Sequence, residues 1–243
     1  MPSLSIPYLL AVAAITFIAA FVQGVTGFGS ALLAMPLLAM FINVRAAAPL
    51  VALLSLAINV SLLIPVRGRL PWRRVAPLLA GALLGVPAGV FFLAGADEKL
   101  ARMALGAVIV VSSVVLLWSD RFPIPGGWRA AFTAGGLSGL LGGAFNTSGP
   151  PVMLYAAAQN WSKEETHAAL QLYFLVSGLG IAGLHAVAGL TDRRVLLSLI
   201  AALPALALGS YAGWRVHRRV SEGRFRRLVQ VALLAAGLAL LIL

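Results

Sequence analysis

The chain has 243 residues, of which 61% are hydrophobic and only 10% charged, and its mean hydropathy is +0.99. Soluble domains carry about a quarter charged residues, so this balance excludes an ordinary globular protein and predicts a polytopic helical membrane protein. The net charge of +11 does not point to nucleic acid, because the basic residues fall in short loops between apolar runs; the absence of cysteine excludes disulfides, thiolate metal sites and a cysteine nucleophile.

The N-terminal MPSLSIPYLL has no basic leader region or evident cleavage site, so it is expected to begin the mature chain. Segment 1 is split: Leu4 to Val22 is apolar, Gln23 to Gly29 is a break, and Ser30 to Ile42 is a shorter apolar piece. Segments 2, 3 and 4 are about 46–66, 75–94 and 103–117. The first of these is followed by a loop carrying Arg67, Arg69, Arg73 and Arg74, and the second by the charge-balanced GADEKLAR. Segment 5 is split again, with Ala130 to Leu141 before a break and Pro151 to Ala158 after it. Segments 6, 7 and 8 are about 166–188, 195–214 and 228–243, with the most basic loop, 215–227, between the last two.

The two breaks are the unusual features. QGVTGFGSALLAMP, from Gln23 to Pro36, and GGLSGLLGGAFNTSGPP, from Gly135 to Pro151, place glycine, proline and polar residues inside apolar sequence. An interior proline costs a helix about 3 kcal/mol. Broken backbone survives in a bilayer only inside protein or beside a wet cavity.

The halves also repeat. Gly24, Gly27 and Pro36 pair with Gly139, Gly142 and Pro151 at an offset of 115; Gly85 and Gly89 pair with Gly209 and Gly213 at 124. The basic side swaps between equivalent loops, as inversion requires. The expected fold is therefore all-α: two inverted repeats, residues 1–120 and 121–243, each a re-entrant helical hairpin plus three transmembrane helices. Loops 67–74 and 215–227 are expected in the cytoplasm, and both termini outside.

A returning half-helix aims unpaired backbone N–H groups and the positive end of its dipole at the membrane centre, which favours an anion. Pro151 suits the first turn of such a helix, and Ser148 and Ser30 suit its cap. Ser30, Thr147 and Ser148 are the expected oxyanion donors, with Thr26 adding another hydroxyl. Gln23, Asn146 and Gln171 are expected to orient the ion, and Gly27, Gly29, Gly142, Gly143 and Gly149 to shape the turns. Asn59 is expected to be satisfied by neighbouring backbone. All seven acids lie in or beside loops, whereas cation pathways usually carry intramembrane carboxylates. No cofactor, metal or enzymatic machinery is indicated. The coupling ion is left open between a proton and sodium held by freed carbonyls; His167 and His185 are the proton candidates, although His185, near a helix end, is expected to be structural rather than a relay and His167 reads either way. Expected partners are a small anionic substrate and membrane lipid, with a homodimer as one possible assembly.

QGVTGFGSALLAMPLL and GLSGLLGGAFNTSGPPVMLY together resemble the TauE/SafE sulfite-exporter (TSUP) family, and the similarity covers the whole chain. The resemblance implies a bacterial inner-membrane carrier for sulfite, organosulfonates or related oxyanions. With the residues, it makes a secondary transporter working by alternating access the expected function. An anion channel of the same architecture and a carrier for carboxylate or sulfate are the alternatives.

Overall fold

A computed structural model describes residues 5–26, 29–63, 70–117, 126–217 and 222–242. These residues form ten α-helices and no strand: α1 Ile6–Thr26, α2 Ser30–Ala39, α3 Val44–Leu63, α4 Trp72–Gly95, α5 Glu98–Leu117, α6 Trp128–Phe145, α7 Gly149–Ala157, α8 Lys163–Val187, α9 Arg193–His217 and α10 Glu222–Ile242. The helices α1, α4, α5, α8 and α9 are long and apolar enough to cross a bilayer. At 10 and 9 residues, α2 and α7 reach only about 15 Å and 14 Å, half of a ~30 Å hydrocarbon core. The surface is correspondingly apolar, with Leu83, Leu84, Phe91, Ile200 and Leu208 pointing outward, while Gln23, Asn59, Asn146, Gln171 and His185 are buried.

Contacts at the helix ends order the bundle. Arg74, at the start of α4, pairs with Glu165 at 2.8 Å and lies 5.5 Å over the Trp161 ring, so α4 and α8 begin at one end. There Ser162 and Glu165 cap α8 reciprocally, at 3.1 and 3.0 Å. The segment before α6 is at that end too, since a Cβ on Gly126 would lie 3.4 Å from the Gln159 side chain, just after α7. The chain thus enters through α6, turns, and returns through α7 to the end it came from.

At the opposite end, the Val44 N–H donates to both Glu98 carboxylate oxygens at 3.1 and 3.2 Å, and the Arg45 guanidinium binds the carbonyls that close α4. The start of α1 belongs there as well, because the hydroxyls of Tyr8 and Ser198, near the starts of α1 and α9, are 3.0 Å apart. α1 and α2 therefore turn back toward this second end.

Both breaks are narrower than the sequence suggests. Gln23 and Thr26 belong to α1, which is unbroken for 21 residues, and α6 runs 18 residues to Phe145 with five of its glycines inside it. Packing makes those glycines tolerable. α4 lies along α6 at backbone contact: a Cβ on Gly85 would overlap the Gly136 carbonyl and come within 2.8 Å of Leu140 N, and one on Gly139 would sit 2.9 Å from Ala82 Cα. The loss of helix propensity is offset by a close interhelical approach that no larger residue permits.

α9 lies along α1 in the same manner. Gly24 meets Ser210 and Trp214 where Gly143 meets Val86 and Val90. That geometry keeps the 124 spacing for α4 and α9 but changes the hairpin spacing from 115 to 119, so Gly24 corresponds to Gly143 and Ser30 to Gly149. A four-residue slip returns nearly the same helix face, which is why the glycines also matched at 115.

Other boundaries shift. GADEKLAR is mostly the first turns of α5, with Asp97 accepting from Leu100 N at 2.7 Å. Arg224, Arg226 and Arg227 lie on α10, not in a loop. Arg67, Arg69, Arg218, Arg219 and Gly27 lie outside the described residues.

Candidate functional site

The starts of α2 and α7 converge. A Cβ on Gly149 would lie 3.8 Å from Leu32 Cδ1, so the first turns of the two half-helices touch. Beside them is a cavity of about 50 Å³, lined by Gln23 at the end of α1, Gly29 to Leu32, and Asn146 to Gly149. One wall is the face of α3 that carries Ala52, Ser55, Leu56 and Asn59; the other is the face of α8 that carries Phe174, Gly178 and Ile181. By the same measure a single water needs about 10–15 Å³, so this space suits one small ion or a few waters. None of these residues is charged.

The turn geometry explains the residue types. Asn146 ends α6 in the left-handed region (φ 54°), the one non-glycine described residue with positive φ, and asparagine tolerates that region better than most. Gly29 precedes α2 at φ 95°. Gln23 and Asn59 face each other with Nε2 and Oδ1 3.4 Å apart, and Asn146 Nδ2 donates to Ser55 Oγ at 3.1 Å. Asn59 is thus oriented by a side chain of the first break, contrary to the expectation of backbone satisfaction.

Donor supply is uneven. The N–H groups of Ser30, Ala31 and Leu32 have no acceptor within α2, whereas Leu33 N already bonds Gly29 O at 3.2 Å. In α7 the second and third positions are Pro150 and Pro151, which carry no N–H, so among its first three positions only Gly149 offers one.

Some expected roles change. Ser30 is the first residue of α2, not its cap; Gly29 caps it. Ser148 is the N-cap of α7 but its side chain makes no capping bond, and its carbonyl accepts from the Ser138 hydroxyl. Pro151 is the third residue of α7 rather than the first. Thr147 lines the cavity, yet both its N–H and its hydroxyl are directed at Leu141 O, each at 3.3 Å.

Of the twelve residues selected from sequence, Gln23, Gly29, Ser30, Asn146, Thr147, Ser148 and Gly149 line one cavity, while Gly142 and Gly143 lie inside α6 and do not. Thr26 does not: its hydroxyl donates to Val22 O at 2.8 Å, and it borders a separate narrow void with Leu116 and Leu233. Gln171 is buried on α8 but does not line the cavity, and Gly27 is outside the described residues. Sequence reasoning missed Ser55 as a member. The signal was there: Ser55 and Asn59 are four apart on an apolar helix and so share a face.

A larger groove of about 550 Å³ runs between α5, α6 and α7, past Leu137, Leu141, Pro150 and Leu154. Ser112, Arg129, Thr133 and Tyr155 are its polar members in an otherwise apolar lining, and neither half-helix start opens its backbone N–H groups there as α2 does at the smaller cavity, which remains the candidate. Among the described residues no three His, Cys, Asp or Glu side chains cluster to hold a metal.

The family model described as sulfite exporter TauE/SafE matches residues 12–240. A probable sulfite/organosulfonate exporter TauE from Cupriavidus necator is 28% identical over 243 aligned residues, covering 96% of this chain and 94% of its own. A probable inner membrane transporter protein TsaS from Comamonas testosteroni is 25% identical over 178 residues, covering 70% of this chain and 72% of its own. No solved structure matches the chain.

Proposed function

The chain belongs to the sulfite exporter TauE/SafE family, a family of membrane transporters rather than enzymes, and from that premise we propose that it exports a small sulfur oxyanion, sulfite or an organosulfonate, by alternating access. The observation that carries this reading is the uncharged cavity at the meeting point of α2 and α7. An oxyanion there accepts from Ser30, Ala31, Leu32 and Gly149 N–H, and from the Ser30 and Ser148 hydroxyls, while Gln23, Asn146, Ser55 and Asn59 fix its orientation. Helix N-termini hold an anion without a cationic side chain, so release does not require breaking an ion pair.

Two hairpins that enter from opposite ends support the inverted-repeat reading, with residues 1–120 and 121–243 as the repeats. Arg73 and Arg74 on α4 and Arg215 on α9 border the end at which α4 and α8 begin, and we place that end, with loops 67–74 and 215–227, in the cytoplasm and both termini outside. The bacterial inner membrane is the compartment this reading requires.

Purified protein in liposomes tests it. Saturable exchange of labelled sulfite or methanesulfonate against unlabelled anion inside is expected. Current that never saturates and never shows counterflow would mean a channel, and no flux of either anion would discard the substrate class.

A further inference from the structure

His185 is fully buried on α8, and its Nε2 is 2.7 Å from the carbonyl of Gly143. That carbonyl lies in the last turn of α6. The N–H that would have served it, from Thr147, is bound to Leu141 O instead. A carbonyl can only accept, so Nε2 carries the hydrogen and His185 closes the end of α6. Nδ1 is then the basic nitrogen, and it is buried with no hydrogen-bond partner among the described residues.

The position of His185 ties it to the cavity. Phe174, Gly178, Ile181 and His185 follow at spacings of four, three and four, so they share one face of α8, and the first three line the cavity. Ile181 Cδ1 would lie 2.8 Å from a Cβ on Gly142, next to the carbonyl that His185 holds.

Charged groups on the surrounding helices are engaged, remote or exposed. On α6 the charged residue is Arg129, in its first turn, and α4 carries Arg73 and Arg74 at its start. Glu164, Glu165 and His167 sit at the far end of α8, and α7 has no charge. At the near end, Arg45 of α3 is bound to the carbonyls of Leu93 and Ala96, Asp192 accepts from Val195 N at 2.8 Å, and Arg193 and Arg194 are exposed at the start of α9.

We propose that His185 is the proton-coupling site of the carrier: an anion in the cavity is accompanied by one proton on His185 Nδ1. This rests on the anion-carrier reading. The helix dipoles at the cavity stabilise a bound anion but carry no net charge, so an anion crossing on them alone moves one negative charge across the membrane. Protonation at Nδ1 forms imidazolium one helical turn from the cavity, keeps the Nε2–H bond to Gly143, and balances one negative charge. The proton comes from water on the side where the anion enters and returns to water where it leaves. A monoanion then crosses with no net charge.

The test uses whole protein in liposomes with methanesulfonate, whose sulfonate stays ionised throughout the working pH range, and a trapped pH-sensitive dye. In the native protein, influx should carry one proton per anion and a pH gradient should drive accumulation. H185Q keeps a donor for Gly143, so counterflow should remain within about twofold while gradient-driven accumulation falls at least tenfold. Unchanged accumulation in H185Q, or native influx without proton movement, overturns the proposal while leaving the carrier intact. Absence of any exchange in native protein overturns the carrier reading first, and this one with it. If H185Q does not insert, nitrogen-labelled histidine spectra of the native protein decide. Nδ1 should gain a proton on saturation with methanesulfonate, and an imidazole that stays neutral refutes the assignment.

Discussion

Asn146→Asp separates the charge of the cavity from its shape. The substitution is nearly isosteric, aspartate also tolerates the left-handed region, and the carboxylate can still accept from the Ser55 hydroxyl. The fold should therefore survive. A cavity of about 50 Å³ holds an ion within roughly 5 Å of its lining side chains. Two like charges at that distance, with an effective dielectric constant of about 20, repel by about 3 kcal/mol. At 1.4 kcal/mol per decade, that weakens an anion by roughly 200-fold. Titration calorimetry with methanesulfonate on detergent-purified protein measures it, with size-exclusion elution as the check on folding. A well-folded Asn146→Asp protein that binds within about threefold of native would show that the ion does not sit beside Asn146, and the site assignment would fail.

Gly85→Leu forces a side chain into the Gly136 carbonyl and Leu140 N of α6, backbone that cannot move aside, and should destabilise by 3 kcal/mol or more; a melting temperature in detergent within a degree of native would refute the contact. Ser148→Ala should leave the melting temperature nearly unchanged, because the hydroxyl makes no capping bond. It should nonetheless weaken anion binding about tenfold, the worth of one hydrogen bond to a charged group; a large loss of stability with unchanged affinity would reverse that assignment. Phe174→Ala enlarges the cavity on the α8 side, so competition assays should show larger organosulfonates gaining on sulfite, and an unchanged ratio would remove Phe174 from the substrate's surroundings.

The class of fold was legible because membrane helices announce themselves by composition, and the two short pieces because residues such as Pro150, Pro151 and Asn146 do not sit comfortably inside a helix. The extent of each break was not. Glycine reads as a helix breaker in isolation, yet Gly139 and Gly143 lie within α6 because α4 needs them small. That is a tertiary requirement, invisible to any local rule. Within the site, a residue could be found when its own segment was irregular, as with Gln23, Ser30 and Asn146. Ser55, Phe174 and Ile181 sit on regular helices and reach the cavity only through the packing of α3 and α8 around it. Thr26 and Thr147 show the converse: a hydroxyl near a break looks like a ligand donor, but one threonine bonds within its own helix and the other closes α6.

The same glycine contacts bear on what can move. α4 with α6, and α1 with α9, meet backbone to backbone along several turns, with no side-chain layer between them to repack. Such pairs resist sliding, since any displacement drives Cα and carbonyl atoms together. The walls formed by α3 and α8 meet differently: a Cβ on Gly178 would lie 3.7 Å from Leu56 Cδ1, an ordinary side-chain contact that can re-form elsewhere. Under the proposed alternating access, the cavity is then expected to open by separation of α3 and α8 while the two glycine-packed pairs stay whole. The native chain has no cysteine, so Leu56→Cys with Gly178→Cys gives one defined pair that a short thiol-reactive cross-linker can join. Cross-linking should cut anion exchange in liposomes by at least tenfold, and the same reagent on either single variant should not. Full exchange through the cross-linked protein would mean that the cavity opens somewhere other than between α3 and α8.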